Sequence, residues 1–155
     1  MKYYIKLSTF IGDLYVIERA SYITNITIHK EEIEGAILRE TTNLLLAKAW
    51  LSNYFKGSLD EVTFPVKQLM TPFMERVYQE TTKIPFGQTL SYKELAKRIG
   101  SPKAFRAVGT ALGKNNLLIL MPCHRVIKTS GELGGFTGGI DLKIKLLEHE
   151  TVRSK

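Results

Sequence analysis

The chain of 155 residues contains a single cysteine, Cys123. One thiol excludes any internal disulfide, and it excludes every zinc site built from two or more cysteines. Long apolar runs are missing as well. The longest, Leu117 to Met121, is far too short to span a bilayer, which takes about 20 apolar residues. No N-terminal stretch shows the charged start, apolar core and small-residue cleavage site of a signal peptide, so the expected compartment is the cytosol, nucleoid or nucleus. What is present, 44% hydrophobic and 10% aromatic residues, is ordinary globular composition, and the length admits one or two small domains.

Charge is plentiful but unevenly placed. Residues 1–65 hold seven Lys/Arg against eight Asp/Glu, a balance of −1, whereas residues 66–155 hold fifteen against seven, a balance of +8. The excess that makes the whole chain +7 therefore lies with the only cysteine. Such asymmetry points to a polyanionic partner for the second part; a basic face kept for solubility explains it equally well on charge alone.

The first thirty residues read as three strands, at Lys2–Ser8, Leu14–Arg19 and Ile23–His29, rich in Tyr, Ile, Val and Thr. Glu31–Gly35 reads as a loop or short helix. Thr42–Lys56 has the pattern of an amphipathic helix with a wide stripe of Leu45, Ala49 and Tyr54 beside Leu46, Trp50 and Leu51, ended by Gly57. Glu61–Val66 reads as a further strand. His29 stands apart from any chemistry-bearing neighbour and reads as an ordinary strand-end histidine.

From Thr71 the pattern becomes helical. Thr71-Pro72 is an N-cap followed by proline at the first helical position, and Ile84-Pro85-Phe86-Gly87 breaks that helix. Ser91-Tyr92-Lys93-Glu94 is a capping box for a second helix with Leu95, Ala96 and Ile99 buried and Gly100 as its stop. Ser101-Pro102 opens a third, running to Gly113, and two short helices joined by a tight turn suggest a helix-turn-helix. Ala104, Ala107, Gly109 and Ala111 leave this third helix nearly bare of side chains. That suits close packing of another helix, and it equally suits entry into a DNA minor groove only about 6 Å wide, with Arg106 reaching inward.

Leu117–Met121 reads as a buried strand stopped by Pro122, directly before Cys123-His124-Arg125-Val126. Five glycines between Thr129 and Gly139 mark a loop, and Asp141–Glu150 a last helix with Leu142, Leu146 and Leu147 as its stripe. A lone cysteine is usually a small buried hydrophobe. Cys123 instead follows a proline at the end of a buried run and precedes a histidine, a placement that can pin a thiol at the floor of a cleft. A free thiol with a pKa of roughly 8.5 is only a few per cent thiolate at neutral pH, so a base is needed. His124 is nearest, but neighbours in an extended segment point apart, which favours a bridging water over a direct bond. Glu150, four residues after Leu146 on the core-facing stripe, would orient the histidine.

The run P-C-H-R-V at 122–126 resembles the active-site signature of the O-6-alkylguanine-DNA alkyltransferases, the methylated-DNA–protein-cysteine methyltransferases. The likeness extends from about Pro85 to Glu150: I-P-F-G-Q-T-L-S-Y at 84–92, P-K-A-F-R-A-V-G-T-A-L at 102–112, Asn115, S-G-E-L-G-G-F-T-G-G at 130–139 and K-x-x-L-L-x-x-E at 143–150. Several motifs in order over some sixty-five residues make the match specific; residues 1–65 resemble the family in α+β outline only.

The resemblance implies an α+β chain. Residues 1–65 would be a small, strand-rich N-terminal α/β domain of RNase H-like outline, and residues 66–155 a mainly helical DNA-binding and alkyl-transfer domain with a winged-helix-like helix-turn-helix. It implies direct-reversal repair: a monomer binds duplex DNA by the minor groove, with cooperative binding along DNA left open. It flips O-6-alkylguanine, less readily O-4-alkylthymine, and moves the alkyl group irreversibly to its own cysteine, once per molecule. By the resemblance Cys123 is the nucleophile, His124 and Glu150 its relay, and Asn115 joins helix to active-site segment. Tyr92 assists flipping and donates to the guanine ring nitrogen at position 3, and Arg106 fills the gap in the stack. Ala104, Ala107, Lys103 and Lys114 complete the DNA-binding set, while Val126, Thr137, Phe136 and Leu112 form the base pocket, with the Thr137 N–H facing the 6-oxygen and the Val126 carbonyl the exocyclic amine. No cofactor is implied, the structural zinc that some members hold in the first domain is not expected, and the compartment would be the cytoplasm, with the nucleoid in a prokaryote. Phe136 stands where many members have tyrosine, and Asn116 and Leu118 where a proline-containing stretch is common, which bears on the range of alkyl groups. A DNA-binding module without chemistry is opposed by the presence of Cys123, and a thiol hydrolase would leave the basic helix-turn-helix unexplained.

Overall fold

The computed structural model describes residues 1–136 and 138–153. The chain divides into two compact units, Met1–Gln68 and Leu69–Lys155. The first is strand-rich and the second mainly helical, so the molecule is of mixed α and β class.

In the first unit β1 (Lys2–Thr9), β2 (Gly12–Arg19) and β3 (Tyr22–Thr27) form an antiparallel meander, and the two-residue β4 (Ile37–Leu38) adds in parallel to β1, giving the order β3-β2-β1-β4. Gly12 takes φ 110° at the first turn, a value that only glycine adopts without strain. Leu14 through Glu18 are all buried, so the middle strand β2 is covered on both faces and shows a continuous apolar run rather than alternation. Helix α1 (Thr42–Phe55) is capped by Thr41, whose hydroxyl accepts the Leu44 N–H at 3.1 Å and donates to the buried Glu18 carboxylate at 2.9 Å. Its buried face is Leu44, Ala47, Leu51 and Tyr54, and Leu45 and Leu46 are exposed. The expected stripe was thus rotated by about one residue, because a helix with apolar residues on most sides lets several i, i+3, i+7 rows be drawn. Glu61–Val66 is not a strand; only a single bridge, Val66 to Ile23, forms there.

In the second unit, α2 (Pro72–Thr81) begins where the Thr71 hydroxyl accepts the Met74 N–H at 3.2 Å. Helix α3 (Tyr92–Arg98) begins where Ser91 accepts from the Glu94 N–H at 3.0 Å. Helix α4 (Phe105–Gly113) packs on α3 and α2 and starts later than Ser101-Pro102 suggests. Ser101 to Ala104 is a turn closed by the Ala104 N–H on the Ser101 carbonyl at 2.9 Å, with Pro102 in the second turn position that its fixed φ suits. Ala111 faces the core and not the bare surface of α4, and its carbonyl accepts the Tyr78 hydroxyl at 2.6 Å.

The largest departure is Leu117–Met121. These residues are mostly buried, but they wind through turns instead of extending, with Ile119 at φ 72° and the Met121 N–H bonded to the Leu117 carbonyl at 3.0 Å. Beyond them lie a 3-10 turn (Cys123–Arg125), strand β6 (Val126–Ile127) paired in parallel with β5 (Leu90–Ser91), the glycine-rich loop and helix α5 (Ile140–Arg153). Among the described residues no helix is long and apolar enough to cross a membrane.

Replacing Thr71 by Ala removes a cap that satisfies an otherwise orphaned N–H. Urea unfolding should show a loss of about 1 kcal/mol, largely restored in Thr71→Asp.

Candidate active site

Asn115 directly follows the turn that ends α4, and it explains the path of the segment after it. Its side-chain oxygen accepts the Leu117 N–H at 2.9 Å, and its amide hydrogens are shared among the carbonyls of Leu117 and Met121 and the Cys123 sulfur, at 3.3, 3.0 and 3.3 Å. An asparagine that captures nearby backbone in this way competes with a strand ladder and wins here. The result is a chain curled so that Cys123, buried at 4% exposure, stands at the start of the 3-10 turn with its sulfur held by an N–H donor.

The next residue completes a relay. His124 Nε2 lies 2.5 Å from the Glu150 carboxylate, and both side chains are fully buried. Its Nδ1 has no hydrogen-bond partner within the protein. A carboxylate that accepts at Nε2 fixes the proton there and leaves Nδ1 as the lone-pair nitrogen. The His124 ring makes no hydrogen bond to the Cys123 sulfur, although the segment is a 3-10 turn and not the extended one in which neighbouring side chains point apart.

Two cations that the residue-by-residue reading left without a role lie beside this relay. Arg125 grips Glu150 with Nε at 2.7 Å and Nη2 at 3.1 Å and donates from Nη1 to the Ile84 carbonyl at 2.8 Å. Lys143, with no exposed surface, donates to the carbonyls of Val126 at 2.7 Å, Gly135 at 3.3 Å and Leu133. A signal for Lys143 existed: it shares one helical face with Leu146 and Glu150 by i, i+3, i+7 spacing. Arg125 had none beyond its place next to His124.

These contacts set the protonation states. Burial pushes the Cys123 thiol up to about 11, against the pull of the Asn115 N–H and the Lys143 charge. Burial would raise the Glu150 carboxyl, but the bonds from His124 and Arg125 outweigh it and hold the group down at about 2. Burial lowers His124, opposed by Glu150 and assisted by the charges of Arg125 and Lys143. Burial lowers Lys143 to about 8 and raises Tyr92, whose hydroxyl therefore stays a proton donor. The same two causes as at Tyr92, burial and the Cys123 charge, lift Tyr78 to about 12.

Cys123 opens on a cavity of about 810 Å³. Its walls are Tyr92, the face of α4 at Arg106, Gly109 and Leu112, and the loop at Gly134 and Phe136. Every charged residue on the described wall is a cation: Lys93, Arg106 and Lys128. Tyr92 is held by glycines on both sides. A Cβ at Gly109 would touch its ring at 3.7 Å, and one at Gly134 would come within 2.9 Å of its hydroxyl. Gly134 also takes φ 73°, so both space and backbone require glycine there. Arg106, Lys103, Lys114 and Ala107 are exposed on or beside α4, and Ala104 is half-buried. Val126 is buried off the cavity wall, its carbonyl already accepting from Lys143, with one lone pair left over. Thr137 lies outside the described residues. Among those described, no group of three or more His, Cys, Asp or Glu is placed to hold a metal ion.

A helix-turn-helix unit carrying a buried cysteine, a histidine–carboxylate relay and a cation-lined cavity is the class that fold and site define. The family model for the 6-O-methylguanine DNA methyltransferase, DNA binding domain, matches residues 72–152. The constitutive methylated-DNA–protein-cysteine methyltransferase of Bacillus subtilis is 37% identical over 163 aligned positions, covering 100% of this chain and 99% of that one. The crystal structure of Mycobacterium tuberculosis O6-methylguanine methyltransferase superposes with a TM-score of 0.87 at 36% identity, covering 100% of this chain and 96% of that one. A structure of Mycobacterium tuberculosis OGT in complex with DNA gives 0.85 at 37% identity, covering 97% and 94%. The chain belongs to the 6-O-methylguanine DNA methyltransferase family.

Protonating Glu150 breaks its ion pairs. Its folded value of about 2 lies below the ordinary 4.5, so its contribution is complete above 4.5 and lost as pH falls toward 2. Glu150→Gln should flatten that acid dependence in urea unfolding. At neutral pH it should cost about 3–5 kcal/mol by leaving Arg125 buried without a counter-charge.

Proposed function

We propose that this protein repairs duplex DNA by direct reversal, taking the alkyl group of O-6-alkylguanine, and less readily of O-4-alkylthymine, onto Cys123 once per molecule. The observation that carries this reading is Cys123 itself, a buried thiol on the wall of a cation-lined cavity with a hydrogen-bond donor on its sulfur and a relay at the next residue. We assign DNA binding and transfer alike to residues 66–155, acting in the cytoplasm alongside the nucleoid.

At a pKa of about 11 the thiolate is a fraction on the order of 10⁻⁴ at neutral pH, so a base must generate it. His124 Nδ1 is the free lone pair for that proton, received through a water, and Glu150 stabilises the imidazolium that results. The thiolate attacks the alkyl carbon in line with the departing 6-oxygen: a sulfur–carbon bond forms and the carbon–oxygen bond breaks. Tyr92 donates a hydrogen bond to position 3 of the leaving guanine and so disperses its negative charge. The imidazolium returns its proton to the medium and guanine takes one up, so the thiol hydrogen is in net replaced by the alkyl group. The thioether cannot be hydrolysed back, and the molecule is spent.

Guanine inside a duplex cannot reach a buried sulfur, so the base must leave the stack, at a cost of a few kcal/mol that is least for a weakly paired lesion. The small residues Ala104 and Ala107 let α4 approach the narrow minor groove, Arg106 enters the stack, and Lys103 and Lys114 meet phosphates. Leu112 and Phe136 then enclose the flipped base.

Incubation with a duplex containing O-6-methylguanine should add one methyl group per molecule by intact mass, and none to Cys123→Ala. Repeated turnover, or transfer that survives Cys123→Ala, defeats the reading. Arg106→Ala should slow reaction with the duplex by about 10-fold or more while changing reaction with free O-6-alkylguanine by less than about 2-fold, since only the duplex requires flipping.

A further inference from the structure

His124 and Glu150 account for a relay, but not for the arginine bound to the same carboxylate. Glu150 accepts from Nε2 of His124 at 2.5 Å, from Nε and Nη2 of Arg125 at 2.7 and 3.1 Å, and from the Gly87 amide at 3.3 Å. Arg125 is itself immobilised. Its third nitrogen is bonded to the Ile84 carbonyl at 2.8 Å, its guanidinium lies 5.8 Å from the Phe86 ring centre, and only 7% of the residue is exposed. The fork geometry admits one orientation of the carboxylate, with Oε2 shared between Arg125 and His124.

That sharing has an electrostatic consequence. A buried carboxylate whose only cationic partner is a histidine draws a proton onto that histidine, because an uncompensated charge in the interior is costly. A histidine charged in this way cannot accept a thiol proton. Where a permanent guanidinium already neutralises the carboxylate, the pair Arg125–Glu150 carries no net charge, and the pull of Glu150 on the imidazole to ionise at rest is offset by Arg125. The charged groups facing His124 are Glu150 and Lys143 from α5, and Arg125 and the ionisable Cys123 from its own turn; burial opposes a charged imidazole most, Glu150 favours it, and the permanent Arg125 charge and the Lys143 ammonium, itself lowered to about 8, oppose it. The edge of the Phe136 ring, 6.5 Å away, adds no titratable group.

We propose that Arg125 is a positioning residue for the transfer reaction: its fork holds Glu150 so that His124 rests as the neutral imidazole, with the proton on Nε2 and the Nδ1 lone pair kept free for the proton of Cys123. Arg125 touches neither the thiol nor the base. It acts through Glu150, and its effect is greatest where histidine would otherwise charge, on the acid side of neutrality. This rests on the reading of Cys123 as the alkyl acceptor, but the state of His124 can be observed without any transfer.

The test uses the full chain and two readouts. Nitrogen NMR of His124 in unreacted wild-type protein should show Nε2 protonated and Nδ1 unprotonated from about pH 6 to pH 8, and in Arg125→Gln the ring should titrate within that window. Single-turnover transfer from a duplex bearing O-6-methylguanine should be slowed in Arg125→Gln by about 10-fold near pH 6 and by about 2-fold near pH 8. Arg125→Lys, which keeps the charge but not the fork, should give an acid limb between the two. A purely structural arginine would instead lower the rate by one factor at every pH. That result, an acid limb unmoved in both variants, or a wild-type His124 already charged at pH 7, overturns the proposal. Should Arg125→Gln fail to fold, the wild-type spectrum and Arg125→Lys decide it. Absence of transfer in wild-type protein would refute the Cys123 reading, while the NMR titration would still decide whether Arg125 keeps His124 neutral.

Discussion

The Glu150 carboxylate is the contact on which the second unit depends. It is almost wholly buried, it is ionised, and it is bonded to the Gly87 amide, to His124 and to Arg125. Those partners come from the break after α2 and from the 3-10 turn of the cysteine, whereas Glu150 itself comes from the end of α5. One charge therefore ties the end of helix α5 to two segments distant in sequence, the break after α2 and the 3-10 turn, both too short to be fixed by regular ladder bonds of their own. A buried ion pair is not by itself evidence of stability, since well-packed apolar groups often do as well. What it provides here is geometry, because bidentate and linear bonds tolerate little displacement.

Helix α5 presents a second buried charge on the same face, seven residues earlier. Lys143 is its counterpart of opposite sign. Its ammonium gathers the carbonyls of Val126, Leu133 and Gly135, and so fastens the glycine-rich loop beside the cavity. An acid at one end of the helical face anchors the relay, and a base at the other anchors the wall that encloses substrate. Tyr92 lies against that wall, beside Gly134 and with its ring centre 5.8 Å from the Lys143 ammonium. The loop carries little regular structure, yet the buried Lys143 holds its Leu133 and Gly135 carbonyls and ties them to the Val126 carbonyl of β6.

What could be read from the sequence was whatever is decided locally. The caps at Thr71 and Ser91, and the glycine turns, depend on a few neighbouring residues, and they form as their spacing predicts. Leu117–Met121 did not follow its composition, because the decisive partner is the side chain of Asn115, and a run of apolar residues carries no sign that its backbone will be captured. Helix α1 failed in rotation, not in existence, since apolarity on most sides erases the phase of the stripe. In the site, Cys123, His124 and Glu150 were legible through motif and helical phase. Arg125 was not, since its partners, Glu150 and the Ile84 carbonyl, are distant in sequence and only tertiary structure brings them to it.

On the proposed function, the raised pKa of the thiol bears on how a reagent used once per molecule can persist. A cysteine exposed and largely ionised would react with adventitious electrophiles and oxidants, which act on the thiolate. Cys123 is buried and held by Asn115, and burial pushes its thiol up to about 11, which keeps it protonated at neutral pH. Activation then has to coincide with occupancy of the cavity, when a base in place excludes water and brings an electrophilic carbon to the sulfur. On the proposed function this ordering matters more than raw nucleophilicity, because a molecule spent on anything other than a lesion is lost. The neutral imidazole at His124 fits the same logic: it can take the proton when the carbon arrives, and until then it has no cause to.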